Sequence, residues 1–423
     1  SSVWLKLKGR WDISGCAPLE AACERWMVQG SCLAFLQILA AWTSSVAVQE
    51  QAWTAVHQWS NLAANITVLR QFGDNAGSPS SSWKLLHITD AHISLAEAKE
   101  LHATSTRRMH NAFSSEVDKF LKPGVRRPPA ATLRSLLEHA EHLGVDAILL
   151  GGDIVNFPHN DSVQYVHEAL RSLKIAVPVI YTAGNHDWMV EGSQESLQDQ
   201  REKYRREVLW PLYRHSRNRS PIQSQDVGLV ELLRTNALDR SDTAERLLIL
   251  SLDNSIHEVT ASQAEFIRKE LGRGHPTLLV VHIPFMLPGA TPPKTKNVLC
   301  GDPRYGWDND NAWQIERRQR WPRSGSTVST KRFIDDLIHR YAVPRGPLLG
   351  ILSGHEHTHR ADALGASRTS TLTCKRGEPL QCEDAAGYQP GTPLHEGLVQ
   401  YVTEAGFEGG HRIVEVRDSR SEK

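Results

Sequence analysis

The sequence predicts an α/β fold. Apolar, β-branched runs of strand length recur along the chain, and segments with apolar residues at helical spacing lie between them. The two alternate in βαβ order, which leads to parallel pairing and right-handed crossovers. Five of the strand-like runs also end in a short polar motif. These are Asp90-Ala-His92 after residues 83–89, Gly152-Asp153 after 145–150, Gly184-Asn-His-Asp187 after 177–183, His282 after 277–281, and Gly354-His-Glu-His357 after 348–353. Active sites of open α/β sheets lie at the carboxyl ends of strands, so the motifs are expected to converge.

The chain of 423 residues, 40% of them hydrophobic, is long enough for a sizeable core in one large domain or two. Lys plus Arg and Asp plus Glu are equal at 48 each, so no net charge draws the protein to nucleic acid. Six cysteines form no Cys-x-x-Cys pair and lack zinc-site spacing. Either Cys374 with Cys382 or Cys16 with Cys23 suits a disulfide in an oxidising compartment, and free thiols suit a reducing one. Sequons at Asn65, Asn160 and Asn218 permit glycosylation. Together these features lean towards a secreted, extracytoplasmic or luminal location.

Residues 1–82 read as an N-terminal extension. Its apolar stretch, 27–48, is either a buried helix or a signal- or anchor-like segment that would attach the protein to a membrane. A second helix is expected over about 49–70, and Ser, Gly and Pro make 74–82 a linker. The main domain is expected to span 83–417, with a loose charged tail over 418–423.

Within that domain, 83–89 reads as a strand and 95–121 as a helix, followed by a Pro- and Arg-rich turn. Leu133, Leu136, Leu137, Ala140 and Leu143 mark one face of a helix over 130–143, which Gly144 stops. Strand 145–150, helix 162–173 and strand 177–182 follow. A charged helical stretch over 194–217 precedes two antiparallel strands, 228–233 and 246–252. Thr260 and Gln263 have capping-box spacing for a helix ending at Leu271. Strand 277–281 leads into an irregular loop, 286–330, whose length and position suggest that it borders a site. Helix 331–341, strand 348–352 and β segments at 361–373, 397–403 and 411–416 close the domain.

One Asp-x-His pair by itself is usually a surface feature. Five motifs in order, each behind a strand, place oxygen and imidazole donors where two metals can be held. Asp90, His92 and His357 suit one metal, and Asn185, His282 and His355 the other, with Asp153 bridging. Alternate residues of an extended segment face the same side, which would let Asp90 and His92 share a metal, while the His355 and His357 pair could be divided between the two. Glu356 and His359 either orient ligand imidazoles or face solvent. Arg304, Tyr305, Trp307 and Trp313 in the long loop are candidate substrate contacts.

The ordered set D-x-H, G-D, G-N-H-D, H, G-H-x-H resembles the calcineurin-like metallophosphoesterase superfamily over roughly residues 84–416. The resemblance implies a four-layer α-β-β-α sandwich of two mixed sheets, here with a mostly helical N-terminal extension. It implies two metals, Mn, Zn or Fe, and hydrolysis of a small-molecule phosphomonoester or phosphodiester by a metal-bridging hydroxide. His186 would then be the general acid or electrostatic clamp beside the phosphate, and Asp187 would orient a neighbouring histidine. Asp153 is followed by Ile-Val-Asn-Phe157 with no tyrosine, unlike the purple acid phosphatase branch. Asp187 is followed by Trp188-Met189, unlike the serine/threonine phosphatase branch. The remaining alternatives are a nuclease of the same fold and a non-catalytic, metal-supported binding module.

Overall fold

The computed structural model describes residues 55–59, 65–70, 82–97, 110–111, 113, 116–188, 203–215, 227–234, 245–290, 299–302, 326–341, 346–364, 369–375, 381–383, 393–396 and 398–418. Its strands, in chain order, are β1 (Ala55–Trp59), β2 (Asn65–Arg70), β3 (Ser82–Ile88), β4 (Glu116–Asp118), β5 (Val125–Arg127), β6 (Ala147–Leu150), β7 (Val179–Tyr181), β8 (Val227–Arg234), β9 (Glu245–Leu252), β10 (Thr277–Val281), β11 (Leu348–Ser353), β12 (His359–Leu364), β13 (Thr369–Lys375), β14 (Gln381–Glu383), β15 (Pro393–Glu396), β16 (Val399–Val402) and β17 (Arg412–Asp418). The α-helices are α1 (Pro129–Leu143), α2 (Asn160–Arg171), the single turn α3 (Asn185–Trp188), α4 (Trp210–His215), α5 (Ala261–Leu271) and α6 (Val328–Asp336).

Two large mixed sheets result. One runs β15-β1-β2-β17-β3-β6-β7, with β3, β6 and β7 parallel. The other runs β14-β13-β12-β16-β11-β10-β9-β8, with β9, β10, β11 and β16 parallel. Strand alternation sorts the side chains. Trp83 and Leu85 of β3 share one core with Ile249, Leu278, Val280 and Tyr401 of the other sheet. Leu86 and Ile88 point the opposite way, into a core with Leu133 and Leu136 of α1 and Val163 and Val166 of α2. On β10, Leu279 and Val281 likewise face Ile267 of α5 and Phe333 of α6. The protein is an α/β sandwich with mixed sheets flanked by helices. Each large aliphatic side chain sealed this way contributes about 1.5–3 kcal/mol.

Local signals behave as the sequence predicts at several ends. Pro129 opens α1, and Gly144 closes it at φ 59°. Thr260 and Gln263 form a reciprocal capping box on α5. The register places Cys374 opposite Cys382 across β13 and β14.

Two expectations are corrected. Residues 55–59 and 65–70 are strands, not part of a helix over 49–70; β2 pairs with β1 on one side and lies parallel to β17 on the other. The β-branched Ile66, Thr67 and Val68 suit that ladder, whose β17 partner lies far downstream. The helix expected over 95–121 does not reach its end, because Glu116–Asp118 pairs with Val125–Arg127 as a small ribbon. Asp118 Oδ1 accepts hydrogen bonds from the backbone N–H groups of Phe120, Leu121 and Lys122, fixing the turn. Segment 27–48 lies outside the described residues. Among those described, no helix is long and apolar enough to cross a membrane.

Candidate metal centre

All five motifs follow the carboxyl ends of parallel strands: β3, β6 and β7 in one sheet, β10 and β11 in the other. Backbone bonds then lace them together. Asp90 N–H donates to Gly152 O at 2.9 Å and His92 N–H to Asp153 O at 2.9 Å, so the first two motifs run side by side. Gly354 N–H donates to His282 O at 2.9 Å, joining the last two. The two sheets meet where His355 N–H donates to Asp90 Oδ2 at 2.9 Å and His282 Nδ1–H to Gly151 O at 2.9 Å.

The ligand atoms fall into three overlapping groups, Asp90–His92–His357, His92–Asp153–His186 and Asp153–His282–His355. The first and third share no residue and offer two separate metal positions. His355 and His357 are divided between them, as the sequence suggests. The local geometry differs from the expected one. Asp90, His92, Asp153, His355 and His357 all have left-handed backbone, with φ between 45° and 71°, rather than the extended backbone that simple alternation requires. Residues held in that region cost of order 1–3 kcal/mol each and cluster at functional sites.

The donor set fits a pair of cations. His92 Nε2 and His357 Nε2 lie 3.2 Å apart, with Asp90 Oδ1 3.2 Å from the His357 nitrogen. His282 Nε2 is 3.1 Å from Asp153 Oδ2. Asn185 is buried, and its Oδ1 has no hydrogen-bond partner among the described residues, as a neutral oxygen ligand would require. Burial disfavours a charge on His282, but the carboxylates of Asp153 and Asp90 outweigh it and raise the imidazole to about 10. Burial, then the neighbouring His186, hold His92 well below the ordinary histidine value.

Close packing leaves no slack around these groups. A Cβ at Gly184 would meet Asp153 Oδ1 at 2.2 Å, and one at Gly354 would meet Asp90 Oδ2 at 2.3 Å.

A profile of the calcineurin-like phosphoesterase family matches residues 84–359. The chain belongs to that family. Among solved structures, this calcineurin-like phosphoesterase is similar to a dimetal phosphatase from Danio rerio at 13% identity, covering 77% of this chain and 88% of that one with a TM-score of 0.36. It is also similar to GAP50, described as the anchor in the inner membrane complex of Plasmodium, at 9% identity over 75% and 78% of the chains, TM-score 0.32. A purple acid phosphatase from yellow lupin, Lupinus luteus, matches at 12% identity over 81% of this chain and 47% of that one, TM-score 0.39.

The remaining residues of this phosphoesterase divide into placements and corrections. His186 is half-buried beside Asp153; its backbone N–H donates to Asp153 Oδ1 at 2.7 Å. Its Nδ1 is 3.1 Å from both Asn156 O and Asn156 Oδ1. Carbonyl oxygens only accept, so Nδ1 carries the proton and Nε2 is left for proton exchange. Asp187 does not take the expected part of orienting a histidine. Its carboxylate accepts from the backbone N–H groups of Val155 and Gly184, both at 2.8 Å, and staples the second motif to the third. Asn156, three residues after Asp153, orients His186 instead.

Glu356 and His359 are buried, not solvent-facing. Glu356 pairs with Arg360 at 3.0 Å, and His359 accepts from Arg412 at 3.2 Å. Arg304, Tyr305, Trp307 and Trp313 lie outside the described residues. Sequence reasoning missed Phe113, whose ring lies parallel to His92 with centroids 4.1 Å apart, and Phe407, which meets the His92 and His357 rings edge-on.

Proposed function

We propose that the protein hydrolyses a phosphate ester, a small-molecule phosphomonoester or phosphodiester, with two metal ions. The observation carrying this reading is the pair of disjoint ligand groups, linked by the group His92–Asp153–His186, where strand ends of the two sheets meet within the stretch that matches the family. Asp90, His92 and His357 would hold one ion, Asn185, His282 and His355 the other, and Asp153 both. When bound, such a pair acidifies water and neutralises charge on the phosphoryl oxygens.

The chain's own residues do the rest. His186, fixed through Nδ1 by Asn156, presents Nε2 to protonate the leaving oxygen or to clamp a phosphoryl oxygen. Asp187 keeps the His186 turn docked against the Asp153 loop. Phe113 and Phe407 exclude water from the His92 side. The absence of a tyrosine just after Asp153 argues for Mn, Zn or a non-tyrosinate Fe centre.

The test is hydrolysis of p-nitrophenyl phosphate and bis-p-nitrophenyl phosphate by metal-stripped protein reloaded separately with Mn, Zn and Fe. Turnover of one ester, lost in Asp153→Asn and lowered roughly 10²–10⁴-fold in kcat by His186→Ala with metal content unchanged, is the expected result. Metal-loaded protein that turns over neither ester would refute hydrolysis of simple phosphate esters.

A further inference from the structure

Six described non-glycine residues have positive φ. Five are the candidate metal ligands Asp90, His92, Asp153, His355 and His357. The sixth is His257, at φ 60°. It lies a short turn past the carboxyl end of β9, a strand parallel to β10, on the edge of the sheet that carries the His282 and Gly354–His357 motifs. Its side chain is fully buried.

The stretch Asp253–His257 touches one of the five motifs and the residues next to two others. Asp253 Oδ2 accepts from Trp188 Nε1 at 2.8 Å, next to the Asp187 staple. Asn254 clamps the backbone of Ile283, accepting from its N–H at 3.0 Å and donating to its carbonyl at 2.6 Å, one residue beyond His282. His257 packs edge-on against the His355 ring, with centroids 5.5 Å apart and planes at 77°. The His282 ring meets His355 in the same manner at 5.3 Å.

The turn closes through His257 N–H donating to Asn254 O at 2.8 Å, a backbone bond that any residue but proline supplies. Glycine or asparagine would meet the left-handed backbone at lower cost. The imidazole is thus not what closes the turn. The χ2 torsion of a histidine is broad, so a ligand imidazole takes its plane from its packing neighbours.

We propose that Asp253–His257 is a sixth site-building segment and that His257 is a positioning residue, setting the plane of the His355 imidazole towards Asp153 and His282. This rests on the reading of Asp153, His282 and His355 as one metal position.

The experiment uses the full chain, stripped of metal and titrated with Mn²⁺, following stepwise affinity and the paramagnetic resonance of a coupled ion pair. His257→Asn keeps a residue suited to left-handed backbone and removes the ring, and His257→Phe keeps a ring. The expected result is that His257→Asn weakens one binding step about 10–100-fold, leaves the other unchanged and loses the coupled signal. His257→Phe restores most of the lost affinity. Combination with His357→Ala, which disables the other position, assigns the weakened step.

Unchanged binding of both ions in His257→Asn would overturn the proposal. Equal weakening of both steps together with a lowered Tm would also overturn it, since that marks a purely structural role. A folded His257→Phe as weak as His257→Asn would refute the packing role, and should that variant not fold, His257→Asn decides alone. Wild-type protein that holds no ion pair would refute the ligand reading beneath the proposal, and that failure is visible before any variant is made.

Discussion

The two halves of the metal centre use the same kinds of donor in opposite surroundings. Around Asp90, His92 and His357 the walls are aromatic: Phe113 lies flat on His92, and Phe407 stands edge-on to both imidazoles. The His357 side chain is 32% exposed. Around Asp153, His282 and His355 the walls are polar backbone and side-chain amides, Gly151 O on His282 and Asn254 on Ile283, and the Asp153 and His282 side chains are at most 2% exposed. The first half is the more open one, through His357 alone, since the Asp90 and His92 side chains are fully buried. The second is sealed and held by directional hydrogen bonds.

Asp153→Asn is expected to erase the distinction, because that carboxylate is proposed to serve both positions. Metal analysis should find both positions depleted, with turnover at background. Retention of the sealed-half ion would show that His282, His355 and Asn185 suffice without it.

Two glycine substitutions separate the halves. A Cβ at Gly152 would lie 2.6 Å from His282 Nδ1, on a backbone with φ 93°, so Gly152→Ala is expected to empty the sealed half and to cost about 1–3 kcal/mol of stability. A Cβ at Gly354 would strike Thr89 Oγ1 at 2.0 Å as well as Asp90, so Gly354→Ala is expected to weaken the open half first. Metal stoichiometry and urea unfolding of both variants check this, and identical profiles would dissolve the comparison.

Acid should act through buried histidines packed beneath the centre. Burial holds His87, on the strand leading to Asp90, near about 3, and His411, beside the loop carrying Phe407, near about 4. The unfolded chain takes up those protons at about 6.5. Stability is thus full above that value and falls as pH drops from 6.5 to about 4, by on the order of 3 kcal/mol for His411 alone. Urea midpoints measured across that window for wild type and His411→Gln should converge on acidification if this holds.

The smallest effect is expected from Phe113→Ala. Losing one stacked ring costs about 0.5–1.5 kcal/mol beyond buried area. It should appear as severalfold faster chelator removal of one ion, with the second ion's rate unchanged.

How far the sequence reaches follows the same divide between local and distant causes. Asp153, His282 and the other motif residues were legible because each sits at a strand end, where an apolar run stops at a polar group. Thr260 with Gln263, and Gly144, were legible because caps act within one turn. The strand nature of 65–70 was hidden, since its ladder depends on β17, more than three hundred residues later. The left-handed ligands escaped for a related reason: an isolated Asp or His gives no sign that hydrogen bonds from another motif will hold it there. Asn156, Phe113 and Phe407 likewise become site residues only through what the fold brings beside them.

The position of β17 has a consequence for biosynthesis. This strand, the last in sequence among the described residues, lies in the middle of its sheet, between β2 and β3. Until residues 412–418 leave the ribosome, β3 has no neighbour on that side, and the strand delivering Asp90 and His92 remains an open edge. Such an edge is a template for pairing with other chains. A nascent chain at this stage has all five metal-binding motifs but an unfinished platform beneath the first. A chain stalled just short of β17 is therefore expected to aggregate more readily than the complete one.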